Sequence, residues 1–147
     1  MRLLLILMFF LVPFSAGAEE IKSGDENDRA AISRVIQDYF DGIGAADEER
    51  LNRAFAADKA AMVGVVKHRD GEKELMAFPD MKKVIANWAG NPEPEGVARD
   101  GAIMNMDIVD GRIAMVMFRY KDEYYDVLTL VKLNDEWKIA TKTFVQR

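Results

Sequence analysis

Three features of the sequence predict an α+β fold, with helices first and an antiparallel sheet after them. Apolar residues recur at helical spacing from Ile32 to Ile43 and again from Met81 to Trp88. From Gly101 to Val145 the spacing changes to alternation. Three short turn signals, Asp110-Gly111, Lys121-Asp122 and Asn134-Asp135, divide that last segment into a four-stranded antiparallel meander.

Composition narrows the class. A chain of 147 residues suits one domain, and 50% hydrophobic residues suffice for a core. The net charge of −5 lacks the positive surface that phosphate tracking needs, so nucleic acid is not an expected partner. The absence of cysteine removes disulfides, thiolate nucleophiles and Cys-based metal sites. His68 is the single histidine, so any metal would fall to carboxylates; no metal and no cofactor is predicted.

Residues 1–18 read as a signal peptide. Arg2 is the positive start, Leu3 to Val12 is an unbroken apolar run ended by Pro13, and Ala16-Gly17-Ala18 is the small-residue cleavage pattern before Glu19. The run is about half of what a transmembrane helix needs. No cysteine follows it, which excludes a lipid-anchored form. The expectation is a periplasmic or secreted protein with no membrane attachment after cleavage and a charge of about −6. Residues 19–27 are charged without apolar spacing and read as a flexible tail. Residues 28–147 are the domain.

The elements follow in order. Ile32, Val35, Ile36, Tyr39, Phe40 and Ile43 form one helical stripe, with Asn27 or Asp28 as its cap and Gly42 and Gly44 as its stop. Asp47 caps a short second helix carrying Leu51, Ala54 and Phe55. Met62 to Lys67 is β-branched and apolar, a strand, and His68-Arg69-Asp70-Gly71 is a turn. Pro79-Asp80 opens a third helix with Met81, Val84, Ile85 and Trp88 on one face. Asn91-Pro92-Glu93-Pro94 belongs to an extended loop.

If each meander turn holds two residues, the register is set, because strand side chains alternate between faces. Val109 then faces Arg112, Tyr120 faces Glu123 and Leu133 faces Glu136. One face gathers Met104, Met106, Ile108, Ile113, Met115, Met117, Arg119, Tyr124, Asp126, Leu128, Leu130, Trp137, Ile139, Thr141 and Thr143. This is the expected inner face, where the methionines either fill the core or line a ligand cavity. The other gathers Asn105, Asp107, Ala114, Val116, Phe118, Tyr125, Val127, Val131, Lys138, Lys142 and Phe144. Its apolar members Val116, Phe118, Tyr125, Val127 and Val131 predict a face buried by a second copy, a homodimer. Asp126 on the inner face needs a partner, either Arg119, Thr143 or a wet pocket.

The chain resembles the nuclear transport factor 2-like superfamily, and within it the lumazine-binding (SnoaL-like) branch. The resemblance is carried by Ile36-Gln37-Asp38-Tyr39-Phe40-Asp41-Gly42, by Phe55-Ala56-Ala57-Asp58, by Tyr125 to Lys132 and by Glu136-Trp137-Lys138-Ile139 running to Lys142-Thr143-Phe144. It covers the whole chain after the signal segment. It implies a cone-shaped fold with helices packed on a curved, mainly antiparallel sheet, a pocket between them, and frequent dimers. Two positions depart from it. Ala56 and Ala57 replace a His-Pro pair common in the branch, and Asn134-Asp135 replaces the usual Asp-Gly. Enzymes of the superfamily often use a pocket His–Asp pair or an acidic base, so the missing histidine weakens an enzymatic reading.

Chemistry-bearing residues are sparse. Ser23 and Ser33 have no histidine near them in sequence, His68 sits in a charged turn, and no glycine-rich run leads into a helix. Asp126 is the candidate general base, with Tyr39 or Tyr124 as hydrogen-bond partners. Two readings remain. The preferred one is a non-catalytic binding or accessory domain for a small apolar or aromatic molecule. Its pocket would be made by Tyr39, Phe55, Trp88, Met104, Met115, Met117, Arg119, Asp126, Leu128 and Trp137. The alternative is a proton-transfer enzyme, an isomerase, cyclase or dehydratase, with Asp126 as base.

Overall fold

The structure is a computed structural model that describes residues 26–147. The expected signal segment, residues 1–18, and residues 19–25 of the expected tail lie outside the described residues. Glu26 and Asn27, placed in the tail by sequence, are helical.

Helix α1 (Glu26–Ala45) buries Ile32, Ile36, Tyr39 and Gly42. It runs through both glycines that were expected to stop it. They are there for close packing: a Cβ on Gly42 would lie 2.9 Å from Leu51 Cγ, and one on Gly44 would overlap the Arg99 guanidinium. The helix ends at Ala46, whose φ of 52° is left-handed. Helix α2 (Glu48–Ala54) starts at Asp47, whose carboxylate accepts from Arg50 N at 3.0 Å. Helix α3 (Met81–Ala89) starts in the same way at Asp80.

Six strands form one sheet: β1 (Ala61–Lys67), β2 (Lys73–Phe78), β3 (Gly101–Val109), β4 (Ile113–Tyr120), β5 (Tyr124–Leu133) and β6 (Glu136–Gln146). Their order is β2-β1-β6-β5-β4-β3, and only the β1–β6 pairing is parallel. The expected four-stranded meander is β3 to β6. Strand β2 was not foreseen. It is an edge strand with mostly exposed side chains, so it lacks the apolar alternation that marks a half-buried strand. The three helices cover one face of the sheet, and the core lies between.

Two of the three turns shift the register. Arg112 N donates to Val109 O as a two-residue turn requires, with Asp110 and Gly111 at positive φ. The ladder then resumes with Val109 opposite Ile113, leaving Arg112 as an extra residue. Glu123 is likewise extra, since Tyr120 pairs with Tyr124. The two slips cancel, so β5 and, from Met106 on, β3 keep the expected orientation, and the two slips invert β4 alone. Ala114, Val116 and Phe118 are buried inside, while Met115, Met117 and Arg119 point outward. The third turn has the expected register, Leu133 opposite Glu136. Beyond it, Ala140 is a bulge between the pairs Leu130–Ile139 and Thr129–Thr141. This turns Lys142 and Phe144 inward and Thr141 and Thr143 outward. A further irregularity at Met104 leaves that side chain 54% exposed.

The inverted strand makes a sharp prediction. Phe118→Ala should lower unfolding free energy by about 3–5 kcal/mol, and its neighbour Met117→Ala by less than about 1 kcal/mol. Urea denaturation of the two variants measures both; equal losses would contradict this register.

Candidate functional site

A cavity of about 640 Å³ opens between α1, α3 and the inner face of β1, β5 and β6. Its walls are apolar and aromatic: Met62 and Val66 from β1, Val84 and Trp88 from α3, Tyr124 from β5 and Phe144 from β6. Phe144 finds room because β1 carries Gly64 opposite it, where a Cβ would overlap the ring. The mouth is charged, with Lys83, Glu93, Lys121 and Glu123 around it. Glu93 belongs to the loop before β3. Arg99 from the same loop ion-pairs with Glu93, donates to the Phe40 carbonyl and lies 4.2 Å from the Phe40 ring centroid. Tyr120 also donates to Glu93.

Three polar groups meet at the cavity floor. Asp126 and Lys142 are the buried charged residues of the described chain, 3% and 6% exposed. Tyr39 Oη donates to Asp126 Oδ2 at 2.8 Å. Lys142 Nζ donates to Tyr39 Oη at 2.8 Å. Asp126 Oδ1 meets the Lys142 ammonium as an ion pair at 2.5 Å. The Lys142 ammonium also lies 5.2 Å and 5.0 Å from the ring centroids of Tyr39 and Phe144. Each member arrives for a local reason. Tyr39 lies on the helical stripe of α1, Asp126 has the inward phase of β5, and the Ala140 bulge swings Lys142 inward.

Burial dominates the electrostatics. It pushes the Tyr39 phenol well above its ordinary pKa, and the neighbouring Asp126 charge pushes the same way. Tyr39 therefore stays a hydrogen-bond donor at any ordinary pH. Burial pushes the Lys142 ammonium downward, and Asp126 opposes that shift.

The sequence-predicted site is partly assembled here. Tyr39, Trp88 and Asp126 line the cavity. Phe55 packs behind them, its ring 5.6 Å from Tyr39 and 6.0 Å from Trp88. Leu128 and Trp137 are core residues away from the cavity wall, and Trp137 Nε1 donates to Asp28. Met104, Met115 and Met117 are on the outer face and cannot wall this cavity. Arg119 is not the partner of Asp126. It ion-pairs with Asp100 and Asp122 at the far side of the sheet. Asp126 sits between Phe118 and Phe144, not between Met117 and Thr143. Of the expected dimer face, Val116 and Phe118 are buried in the core, while Tyr125, Val127 and Val131 remain outside. His68 is on the β1–β2 turn, 3.0 Å from Glu74 and outside the cavity.

Lys142 was missed as a site residue. A signal existed in Trp137-Lys138-Ile139-Ala140-Thr141-Lys142-Thr143-Phe144. Unbroken alternation from Trp137 puts Phe144 outward and two threonines inward, which is the poorer burial. A phase break at the small Ala140 restores it.

A family model described as Putative lumazine-binding matches residues 27–145. A search of curated proteins returned no match. Among solved structures, a nuclear transport factor 2-like protein of unknown function from Silicibacter pomeroyi is 23% identical with a TM-score of 0.67, over 82% of this chain and 97% of its own. Another from Shewanella baltica, also of unknown function, is 25% identical with a TM-score of 0.65, over 80% and 92%. A Streptomyces avermitilis protein described as "a putative dehydratase from the NTF2-like family" is 12% identical with a TM-score of 0.57, over 82% and 97%. These likenesses support the α+β nuclear transport factor 2-like fold.

The ion pair can be tested by stability. Lys142→Met leaves Asp126 charged and buried with Tyr39 alone, and should cost about 3–5 kcal/mol at neutral pH. The double variant Asp126→Leu/Lys142→Met should recover much of that loss. A double-mutant cycle by urea denaturation checks the coupling; additive losses would mean the two side chains act independently.

Proposed function

We infer that this chain, which belongs to the Putative lumazine-binding family, is an exported small-molecule-binding or accessory domain without catalytic turnover. The observation that carries this is the cavity itself. Its volume lies within the range of small-molecule sites, its walls are apolar and aromatic, and three polar groups, Tyr39, Asp126 and Lys142, converge at the floor beneath a charged mouth. The family's description points the same way, toward a small molecule. A flat aromatic ligand suits walls made of Trp88, Tyr124 and Phe144, with Asp126, Tyr39 and Lys142 fixing its orientation.

The second reading, a proton-transfer enzyme with Asp126 as base, is favoured by the place of Asp126 at the cavity floor. Against it, one carboxylate oxygen accepts from Tyr39 and the other faces Lys142. A carboxylate so engaged can exchange protons with those two neighbours but is a poor base toward a bound substrate. Export rests on the Arg2, Leu3–Val12 and Ala16–Ala18 pattern. Among the described residues no helix is long and apolar enough to cross a membrane.

A homodimer through the outer sheet face belongs to the same proposal, with corrected residues. Ile113, Met115, Met117, Val127 and Val145 are each 38–46% exposed on that face, beside Tyr125. A contiguous apolar surface on a sheet favours a self-complementary partner.

Native mass spectrometry of protein purified from its own host should show a retained small molecule. Titration with lumazine should change the fluorescence of Trp88, an effect lost in Trp88→Phe and kept in Trp137→Phe. No retained mass and no response to lumazine or to other aromatic probes would reject the binding reading. For the dimer, sedimentation should show an assembly that Met115→Asp converts to monomer; a monomer at high concentration without any substitution would reject it.

A further inference from the structure

Lys142 combines features that a purely structural ion pair does not require. It is buried, yet it lies on the wall of an open cavity and not inside sealed core. Burial weakens its hold on its proton. Its ammonium touches both a carboxylate and a phenol, and those two touch each other. The phenol accepts from the lysine and donates to the aspartate, so a closed path for protons joins all three. A primary amine in a desolvated pocket with a base and a hydroxyl beside it is the arrangement that activates a lysine toward carbonyl carbon.

We propose that Lys142 is an amine nucleophile that condenses reversibly with an aldehyde or ketone held in the cavity, with Asp126 and Tyr39 handling the protons. This rests on the reading of the cavity as a small-molecule site and narrows its ligand class to carbonyl compounds of roughly one or two aromatic rings. The step balances without any further reactant. Asp126 takes one proton from the ammonium, and the freed lone pair on Nζ forms a bond to the carbonyl carbon. Asp126 returns that proton to the carbonyl oxygen, which becomes the hydroxyl of a carbinolamine whose nitrogen still carries two protons. Loss of that hydroxyl with a second proton releases water and leaves a protonated imine beside the ionised Asp126. Two of the three ammonium protons leave as water, and no oxidant or reductant is used. The Asp126 carboxylate that paired with the ammonium then pairs with the iminium, so the buried charge balance is preserved. Tyr39 is the group that bridges Nζ and Asp126, and its raised pKa keeps it protonated to serve as donor.

The test uses benzaldehyde as probe with sodium cyanoborohydride, which reduces an imine to a stable secondary amine. The full chain from Glu19 onward is treated, and peptide mass spectrometry locates the adduct. The expected result is labelling concentrated at Lys142, ahead of the exposed Lys82 and Lys83. Lys142→Arg should abolish that label while retaining a positive charge beside Asp126, and Tyr39→Phe should slow labelling without removing it. Circular dichroism confirms that each variant is folded. Benzyl alcohol, which lacks the carbonyl, separates the two readings through Trp88 fluorescence. Binding of both probes without an adduct at Lys142 would overturn the amine proposal and leave the pocket reading standing. Binding of neither, with labels spread over surface lysines alone, would overturn both.

Discussion

The Lys142 ammonium and the Asp126 carboxylate meet beneath an apolar wall, and much of the fold is arranged around that contact. Removing two charges from water costs several kcal/mol for each ion, roughly, even after relaxation. The fold offsets this through geometry. Asp126 and Lys142 stand on neighbouring strands β5 and β6, one step diagonal to each other, because Asp126 pairs with Phe144 and Leu128 with Lys142. Helix α1 crosses over them and delivers the Tyr39 hydroxyl to both. Phe118 and Phe144 flank Asp126 on the two neighbouring strands, and its side chain is buried between them. Without the Ala140 bulge, Lys142 would face outward and Asp126 would be buried with Tyr39 alone.

The site also depends on its mouth. The loop from Gly90 to Asp100 could hang free, but Arg99 binds it to α1 through the Phe40 carbonyl and ring, and to itself through Glu93. Gly44 allows the guanidinium to lie against the helix. Glu93 is shared with Tyr120, so the loop, α1 and the end of β4 are held together at one point on the rim. A helix-stopping residue in sequence thus turns out to be a packing site for a loop anchor. The floor and the rim are joined through Tyr39 and Phe40, adjacent residues on α1 that face them respectively.

The helices were legible in the sequence because a helical stripe and its cap are local signals. Asp47 caps its helix as read and the third helix starts at Asp80 after Pro79, while Asn27 and Asp28, read as caps of α1, lie inside it; the stripes from Ile32 and Met81 pack on the core. The faces of the sheet were less legible. A strand's phase is carried by its turns, and a turn that adds one residue leaves almost no mark on composition. In β4 both phases are apolar: Ile113, Met115 and Met117 alternate with Ala114, Val116 and Phe118. The tie-breaker was the strand's end, where one phase buries Arg119 and the other Tyr120. The three-residue loops that resulted follow the strong preference of paired strands to bury the uncharged choice. Asp126 and Tyr39 were found because a carboxylate in an apolar alternation is conspicuous. Lys142 was not, because a lysine between two threonines reads as a solvated position until a bulge is placed at Ala140.

The same alternation ties the inner face to the outer one. Asp126 lies between Tyr125 and Val127 on β5, and those neighbours project to the opposite side of the sheet. Lys142 is similarly flanked by Thr141 and Thr143. A second copy covering the outer face would therefore press on the backbone positions that hold the ion pair, one residue away along each strand. Strands covered on both faces open less readily than strands with one wet face, since local opening is easiest where few apolar contacts must be lost. The Lys142–Asp126 contact needs that rigidity more than any apolar pair does. A small widening between β5 and β6 would admit water to two buried charges and dissolve their attraction, whereas apolar neighbours would merely lose contact area. Burial of the outer face by the proposed second copy would in this way also order the cavity floor, through the two strands that carry Asp126 and Lys142.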